Sequence, residues 1–307
     1  MKIHENIHDL APIKNPVVTI GTFDGVHIGH QAIFNRMKEE AAKIGGETVV
    51  ITFHPHPRIV LGYDNSQLRF INRQSKKIEL LEKAGVDHLI ILKFTKEFSL
   101  KTSDEFIKEM VIDIIQPKII VIGHDHHFGK NREGNFELLS SYAKLFDFRV
   151  IKVDAQSVDN ITVSSSKIRK LLEQGNVHDA NLLLGYTYSI TGKVVKGKSI
   201  GKDIGFPTAN IETGDEYKLI AAVGVYACLI DYKGKTYKGM SNIGFRPTID
   251  HGALTIEVNI FDFNQQIYGE EITIYFVERL RNEIKFDSLE ALTEQLKKDE
   301  LRSLEIL

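Results

Sequence analysis

Val17-Val18-Thr19-Ile20-Gly21-Thr22-Phe23-Asp24-Gly25-Val26-His27-Ile28-Gly29-His30 is the stretch on which the fold of the first half turns. The β-branched run from Val17 to Ile20 reads as a buried strand. Gly21 and Gly25 bracket a turn, and helical sequence starts near His27 and continues through Gln31 to Lys38. A strand that turns through glycines into a helix gathers free backbone N–H groups and the positive end of the helix dipole at one point. His27 and His30 share one helical face, and Gly29 between them lets a ligand approach the backbone. The stretch predicts a phosphate site.

Outward from it, strands and helices alternate. Glu47–Phe53, His88–Leu92, Lys118–Gly123 and Phe148–Val153 read as further strands. Between them, Gln74–Ala84 carries helical spacing at Ile78, Leu81 and Ala84, Ser103 can cap a helix through Phe106, Ile107 and Met110, and Glu137–Leu145 is helical. Near-continuous Val/Ile runs alternating with helices predict a doubly wound parallel sheet covered on both faces. Ligands of such sheets bind at the carboxyl ends of the strands. Three segments lie at that edge: Thr52–Arg58, Gly123–Asn135 and Ser164–Arg169. His54-x-His56 and His124-x-His126-His127 invite a zinc reading, but no Cys or Glu-x-x-His partner accompanies them. Loops lining a nucleotide or flavin pocket are the preferred reading.

Leu171–Leu184 closes the helical part, and from Tyr186 the texture changes. Tyr188–Val195 reads as a strand, and Val225–Tyr232 and Thr236–Asn242 flank the hairpin signal Lys233-Gly234-Lys235. Thr255–Phe261 and Glu271–Phe276 read as another pair joined through Tyr268-Gly269-Glu270. Repeated short antiparallel strands predict a small closed barrel. Asp287-Ser288-Leu289-Glu290 reads as a capping box for a last helix, whose Leu289, Leu292, Leu296 and Leu301 are expected to pack in the core. The expected division is 1–184 for the parallel-sheet domain and 185–307 for the barrel domain. Gly197-Lys198-Ser199-Ile200-Gly201-Lys202-Asp203-Ile204-Gly205 makes a flexible cationic loop suited to phosphate, without the spacing of a Walker loop. Along Thr255–Ile260, Ile256, Val258 and Ile260 share one face, so Glu257 faces the other way with Thr255 and Asn259.

The 307 residues suffice for two domains, with 42% apolar residues to form their cores. Lys+Arg 39 against Asp+Glu 41 gives a net charge of −2, which argues against a general nucleic-acid surface. The single cysteine, Cys228, sits in an apolar strand and cannot form an internal disulfide. No apolar run approaches the roughly 20 residues that span a bilayer, and Met1–Glu5 lacks signal-peptide features. The expectation is a cytoplasmic protein with small-molecule partners, without nucleic-acid or membrane partners, as a monomer or weak homo-oligomer.

Three signatures carry a family resemblance. His27-x-Gly29-His30 after a first strand resembles the nucleotidyltransferase superfamily that includes class I aminoacyl-tRNA synthetases and adenylyl- and cytidylyltransferases. Ser164-Ser165-Ser166-Lys167-Ile168-Arg169 resembles the second phosphate-binding signature of that superfamily. Gly205-Phe206-Pro207-Thr208-Ala209-Asn210 resembles the flavokinase signature, and Asn242–Thr248, Glu257–Phe263 and Arg279-Leu280-Arg281 agree with it. Together the halves resemble the bacterial bifunctional riboflavin kinase/FMN adenylyltransferase family, also called FAD synthetase.

The resemblance implies two ATP-dependent steps, riboflavin to FMN in the barrel and FMN to FAD with release of pyrophosphate in the first domain. It implies that His27, His30 and Arg169 act catalytically on the triphosphate, with Gly21, Phe23, Asp24, Gly29, Ser164, Ser165 and Lys167 binding ATP. In the barrel it implies Gly197, Lys198, Gly201, Lys202, Gly205, Thr208 and Asn210 as ATP contacts, Thr208 and Asn210 as Mg²⁺ ligands, and Glu257 as general base. His124, Asp125, Phe128, Asn131 and Arg281 are the expected flavin contacts. The sequence departs from the family at Thr22, where Asn is common, and at Asn135, where a carboxylate is common. Two further readings stand beside this one: a flavokinase whose first domain has lost adenylylation, and a flavin- or nucleotide-binding regulator.

Overall fold

The computed structural model describes residues 1–62, 68–159, 161–197, 201, 204–245 and 254–307. It divides into two compact units, Met1–Ser165 and Ser166–Leu307.

The first unit is built on a six-stranded, all-parallel sheet. Its strands are β1 (Lys2–His4), β2 (Val17–Ile20), β3 (Thr48–His54), β4 (His88–Lys93), β5 (Ile119–Gly123) and β6 (Arg149–Val153), in the spatial order β1-β4-β3-β2-β5-β6. Along β2 and β3, side chains alternate between two buried faces. Val18, Ile20, Val49 and Ile51 enter one core, and Val17 and Val50 enter the other. Helices α1 (Ile28–Ile44) and α2 (Gln74–Lys83) cover the second face with Phe34, Met37 and Leu81. Helix α3 (Ser103–Glu105, continuing as a π-helix over Phe106–Ile115) and α4 (Phe136–Phe146) cover the first with Phe106, Ile107 and Leu139. Strand order reverses between β2 and β5, so the carboxyl end of β2 is the topological switch point where open α/β sheets bind ligands.

The doubly wound parallel sheet is as expected; some local signals differ. The cap of α3 is Thr102, which forms a capping box with Glu105, because the hydroxyl of Ser103 instead donates to Phe128 O. The last helical stretch is two helices, α5 (Ser165–Glu173) and α6 (Val177–Leu184). From Ser166 on, both fall in the second unit, with α6 packed on a barrel strand, whereas the sequence places the boundary after them. A two-stranded sheet, β7 (Ser157–Val158) with β8 (Ile161–Thr162), precedes α5.

The second unit holds a closed antiparallel barrel, as the sequence predicts. Its strands are β9 (Ser189–Val195), β10 (Ala209–Glu212), β11 (Gly224–Tyr232), β12 (Lys235–Phe245), β13 (Leu254–Ile260) and β14 (Glu271–Arg281), ordered β10-β13-β12-β11-β14-β9. The expected β13–β14 pair does not form. β13 lies between β10 and β12, and β14 between β11 and β9, because closure places sequence neighbours on separate sides. Ser288 caps α7 (Leu289–Ile306) by accepting from Ala291 N, but Ala at that third position cannot complete a capping box. Leu296 packs against Phe206, Met240 and Phe261 as expected, whereas Leu289 and Leu301 are exposed at 56% and 64%.

Candidate functional sites in the two units

In the first unit, the turn between β2 and α1 is held in an uncommon backbone conformation. Phe23, Gly25 and Val26 have φ of 49°, 84° and 40°, and a β-branched residue at positive φ is strained. Several bonds over-determine the turn. Val26 N donates to Phe23 O, Gln31 Nε2 donates to Val26 O at 3.1 Å, and the Ser165 hydroxyl donates to Asp24 O at 2.9 Å. The buried Asp24 carboxylate accepts from Ile71 N at 3.0 Å and Asn72 N at 3.3 Å. Asp24 therefore anchors a segment far along the chain to the turn.

His27 is the N-cap of α1, its Nδ1 accepting from His30 N at 3.4 Å. The two imidazoles stack with centroids 3.7 Å apart, and Phe23 meets His30 edge-on at 5.2 Å. A Cβ on Gly29 would lie 3.1 Å from His27 Cε1, and one on Gly21 would lie 2.8 Å from the Phe23 ring. A side chain at residue 21 would make the Phe23 ring shift, and one at residue 29 would make the His27 ring give by a few tenths of an ångström. His30 Nδ1 is buried with no hydrogen-bond partner. Burial first, then His27, then Lys77, hold the His30 imidazole well below the usual histidine range, so it is neutral at pH 7. A neutral ring with an unspent buried nitrogen at a helix N-terminus can hydrogen-bond a phosphate without prior loss of a protein contact.

In the barrel, Glu257 on β13 stands opposite Asn210 of β10 on one side and Asn242 of β12 on the other. Thr208 Oγ1 lies 3.5 Å from Glu257 Oε2. Asn259 Nδ2 donates to Pro207 O at 2.7 Å, which fixes the approach to Thr208 over the strand. Phe206 N donates to Gly201 O at 2.8 Å and closes the loop before it. Gly205 has φ 83°, and a Cβ on Gly197 would collide with the Asn210 amide. Gly197, Gly201, Thr208, Asn210 and Glu257 are thereby gathered at one end of the barrel wall. Thr208 and Asn210 offer a hydroxyl and an amide oxygen, a donor set that suits a hard cation sharing its shell with phosphates. Lys198 and Lys202, like Arg246-Pro247-Thr248 of the Asn242–Thr248 motif, lie outside the described residues.

The comparisons with known proteins follow this division. The FAD synthetase family model matches residues 11–167 and the riboflavin kinase family model matches residues 184–307. A bifunctional riboflavin kinase/FMN adenylyltransferase of Listeria monocytogenes is 40% identical over 93% of this chain and 90% of its own length. The Haemophilus influenzae protein of the same name is 38% identical over 97% of both chains. The chain belongs to the bifunctional riboflavin kinase/FMN adenylyltransferase family. A crystal structure of a macrolide-efflux protein from Streptococcus pneumoniae is also similar, with a TM-score of 0.89 and 36% identity over 98% of this chain and 97% of that one. Among the described residues here, no helix is long and apolar enough to cross a membrane.

The other residues singled out by the family resemblance are scattered. Ser164 and Ser165 belong to the first unit, while Lys167, exposed, and Arg169, half-buried, belong to the second. His124 and Asp125 are exposed neighbours 3.7 Å apart. Phe128 is a core residue, 7% exposed, with Gly134 against its ring. Asn131 is exposed at φ 55°, its amide on Glu133 at 3.3 Å. Arg281 has every guanidinium nitrogen engaged: Nε and Nη2 on Asp299 of α7 at 3.0 and 2.7 Å, and Nη1 on Asn282 O. Among the described residues no group of three or more His, Cys, Asp or Glu could hold a metal, and His56 instead caps a short helix over Pro57–Val60. Asn135 caps α4 by accepting from Leu138 N at 2.9 Å, a role that the carboxylate common in this family could fill equally.

The sequence reading placed Thr52 at the carboxyl edge of the sheet but missed Lys77. Both are buried beside the β2–α1 turn, where Lys77 Nζ donates to Thr22 O and Thr52 Oγ1, each at 3.3 Å. The available signal was spacing: Lys77 lies four residues before Leu81, on the apolar stripe of α2.

Proposed function

We propose that the two activities of the family reside in the two sites just described, adenylyl transfer at the carboxyl end of β2 and riboflavin phosphorylation at the Glu257 end of the barrel. The chain is a bifunctional transferase of FMN and FAD biosynthesis. In the first unit, an FMN phosphate oxygen attacks the α-phosphorus of ATP, and the bond to the departing pyrophosphate breaks. That chemistry needs charge neutralisation and in-line positioning more than covalent help. His27, His30 and the N-terminus of α1 supply donors to the phosphates, joined by Ser164 and Ser165. In the barrel, the Glu257 carboxylate takes the proton of riboflavin's ribityl 5′-hydroxyl as the oxygen attacks the γ-phosphorus and ADP leaves. Thr208 and Asn210 would hold Mg²⁺, which neutralises phosphate charge when bound.

The observation that carries this reading is the pairing of two independent constructions: a buried, unsatisfied His30 nitrogen at the sheet's switch point, and a half-buried carboxylate beside Thr208 and Asn210 on the barrel. We place the enzyme in the cytoplasm, as a monomer or weak homo-oligomer acting on small molecules. The test is incubation with riboflavin, ATP and Mg²⁺ followed by chromatography. FMN and then FAD should form, with one pyrophosphate released per FAD. Absence of both products contradicts the reading.

A further inference from the structure

We propose that Lys77 is a positioning residue of the adenylyl-transfer site: its buried ammonium pins the turn that carries His27 and His30. The inference rests on the assignment of adenylyl transfer to the first unit.

Lys77 lies in the first turn of α2 yet is only 7% exposed, an unusual place for a lysine. Its ammonium reaches the carboxyl ends of two strands at once, donating to Thr22 O just past β2 and to Thr52 Oγ1 within β3. A carbonyl inside the β2–α1 turn is therefore tied to the neighbouring strand through one cation. The same turn is tied to the segment before α2 by Asp24, which accepts from Ile71 N and Asn72 N. Lys77 and Asp24 thus clamp it from two directions with opposite charges.

The groups facing the ammonium define its electrostatic task. From the turn come Thr22 O and the Asp24 carboxylate, from β3 the Thr52 hydroxyl, and from α1 His30 and, stacked on it, His27. Arg73 and Lys76 neighbour it at the start of its own helix. Lys76 is itself paired with Glu79 at 3.0 Å, and Asp24 is the carboxylate that opposes the effect of burial on the Lys77 ammonium. Burial lowers the Lys77 ammonium to about 8, opposed by Asp24, and Lys77 in turn helps to keep His30 neutral. An anionic triphosphate at the site adds negative charge beside Lys77, so the ammonium is more strongly held in its charged form once nucleotide binds. Thr22 takes part through its backbone oxygen alone, which explains why Thr can stand where the family commonly has Asn.

The experiment follows FAD formation from FMN, ATP and Mg²⁺ between pH 6 and pH 9.5 in the full chain and in its Lys77→Met and Lys77→Arg variants. Riboflavin phosphorylation is measured on the same samples. Lys77→Met should lower adenylyl transfer by roughly ten- to a hundredfold while leaving the kinase rate unchanged. The wild-type kcat/KM for ATP, which reports the free enzyme, should fall as pH rises past the Lys77 midpoint near 8. In Lys77→Arg, whose guanidinium keeps its proton, that fall should move up by about one pH unit or more. A His30 titration by NMR should show a higher midpoint in Lys77→Met than in wild type. A wild-type adenylyl-transfer rate in Lys77→Met overturns the proposal, and so does a Lys77→Arg profile that falls at the wild-type pH, whether or not Lys77→Met folds. Failure of the wild-type chain itself to form FAD instead overturns the assignment on which the proposal rests.

Discussion

Gly29 shows how narrowly the phosphate site is built. The His27 ring crowds the place of a side chain on residue 29, 3.1 Å from the first added carbon. Gly29→Ala should therefore displace the His27 ring from its stack on His30 and slow adenylyl transfer by about tenfold or more, with the kinase unaffected. Separate assays of the two steps on one preparation check this. At this scale, legibility followed locality. The placement of His27, Gly29 and His30 was readable because a single turn at the start of one helix holds them, and the orientation of Glu257 because strand alternation separates it from Ile256 and Val258. Arg281 was not, because its partner Asp299 lies across a loop and along a helix, and only the folded chain brings them to 2.7 Å. Phe128 was read as a pocket residue, although an aromatic beside glycines fits a core position equally well.

The Arg281–Asp299 pair belongs to the scale of elements, since it joins β14 to α7. Asp299 is 3% exposed, accepts from Arg281 Nε and Nη2, and also accepts from Gln295 Nε2 at 2.9 Å. Asp299→Ala leaves a largely buried guanidinium uncompensated, which should destabilise the barrel unit by about 3–5 kcal/mol. Denaturant unfolding monitored by circular dichroism measures this, and Ser288→Ala at the cap of the same helix should cost only about 1 kcal/mol. The long elements were legible because their burial is nearly complete: β2 through β5 read as Val/Ile runs because both faces of the sheet are covered. The short ones were not. Lys2–His4 and Ala209–Glu212 carry too few residues for a period to show, yet the second closes the barrel between β9 and β13. The assumed β13–β14 hairpin failed for a related reason: nearness in sequence stood in for pairing, and closure of the barrel overrode it.

For the whole molecule, two folds with unrelated topologies each carry a site suited to a triphosphate, and FMN is the product of one and the substrate of the other. If FMN passes through solution, chains lacking either step complement each other. A mixture of His30→Ala and Glu257→Gln proteins should then convert riboflavin to FAD, although neither does so alone. The order of the two domains was legible because each signature is local and lies within its own fold. The helices before the barrel carry the periodicity of the helical half, while α6 packs on a barrel strand.

The most direct test of the central claim, that each site performs one step, is a chromatographic time course on the two variants separately, supplied first with riboflavin and then with FMN. His30→Ala should accumulate FMN from riboflavin and form FAD at least a hundredfold more slowly than wild type. Glu257→Gln should form FMN on the order of 10²- to 10⁴-fold more slowly yet convert supplied FMN to FAD at the wild-type rate. Wild-type FAD formation by His30→Ala, or wild-type FMN formation by Glu257→Gln, would contradict the account.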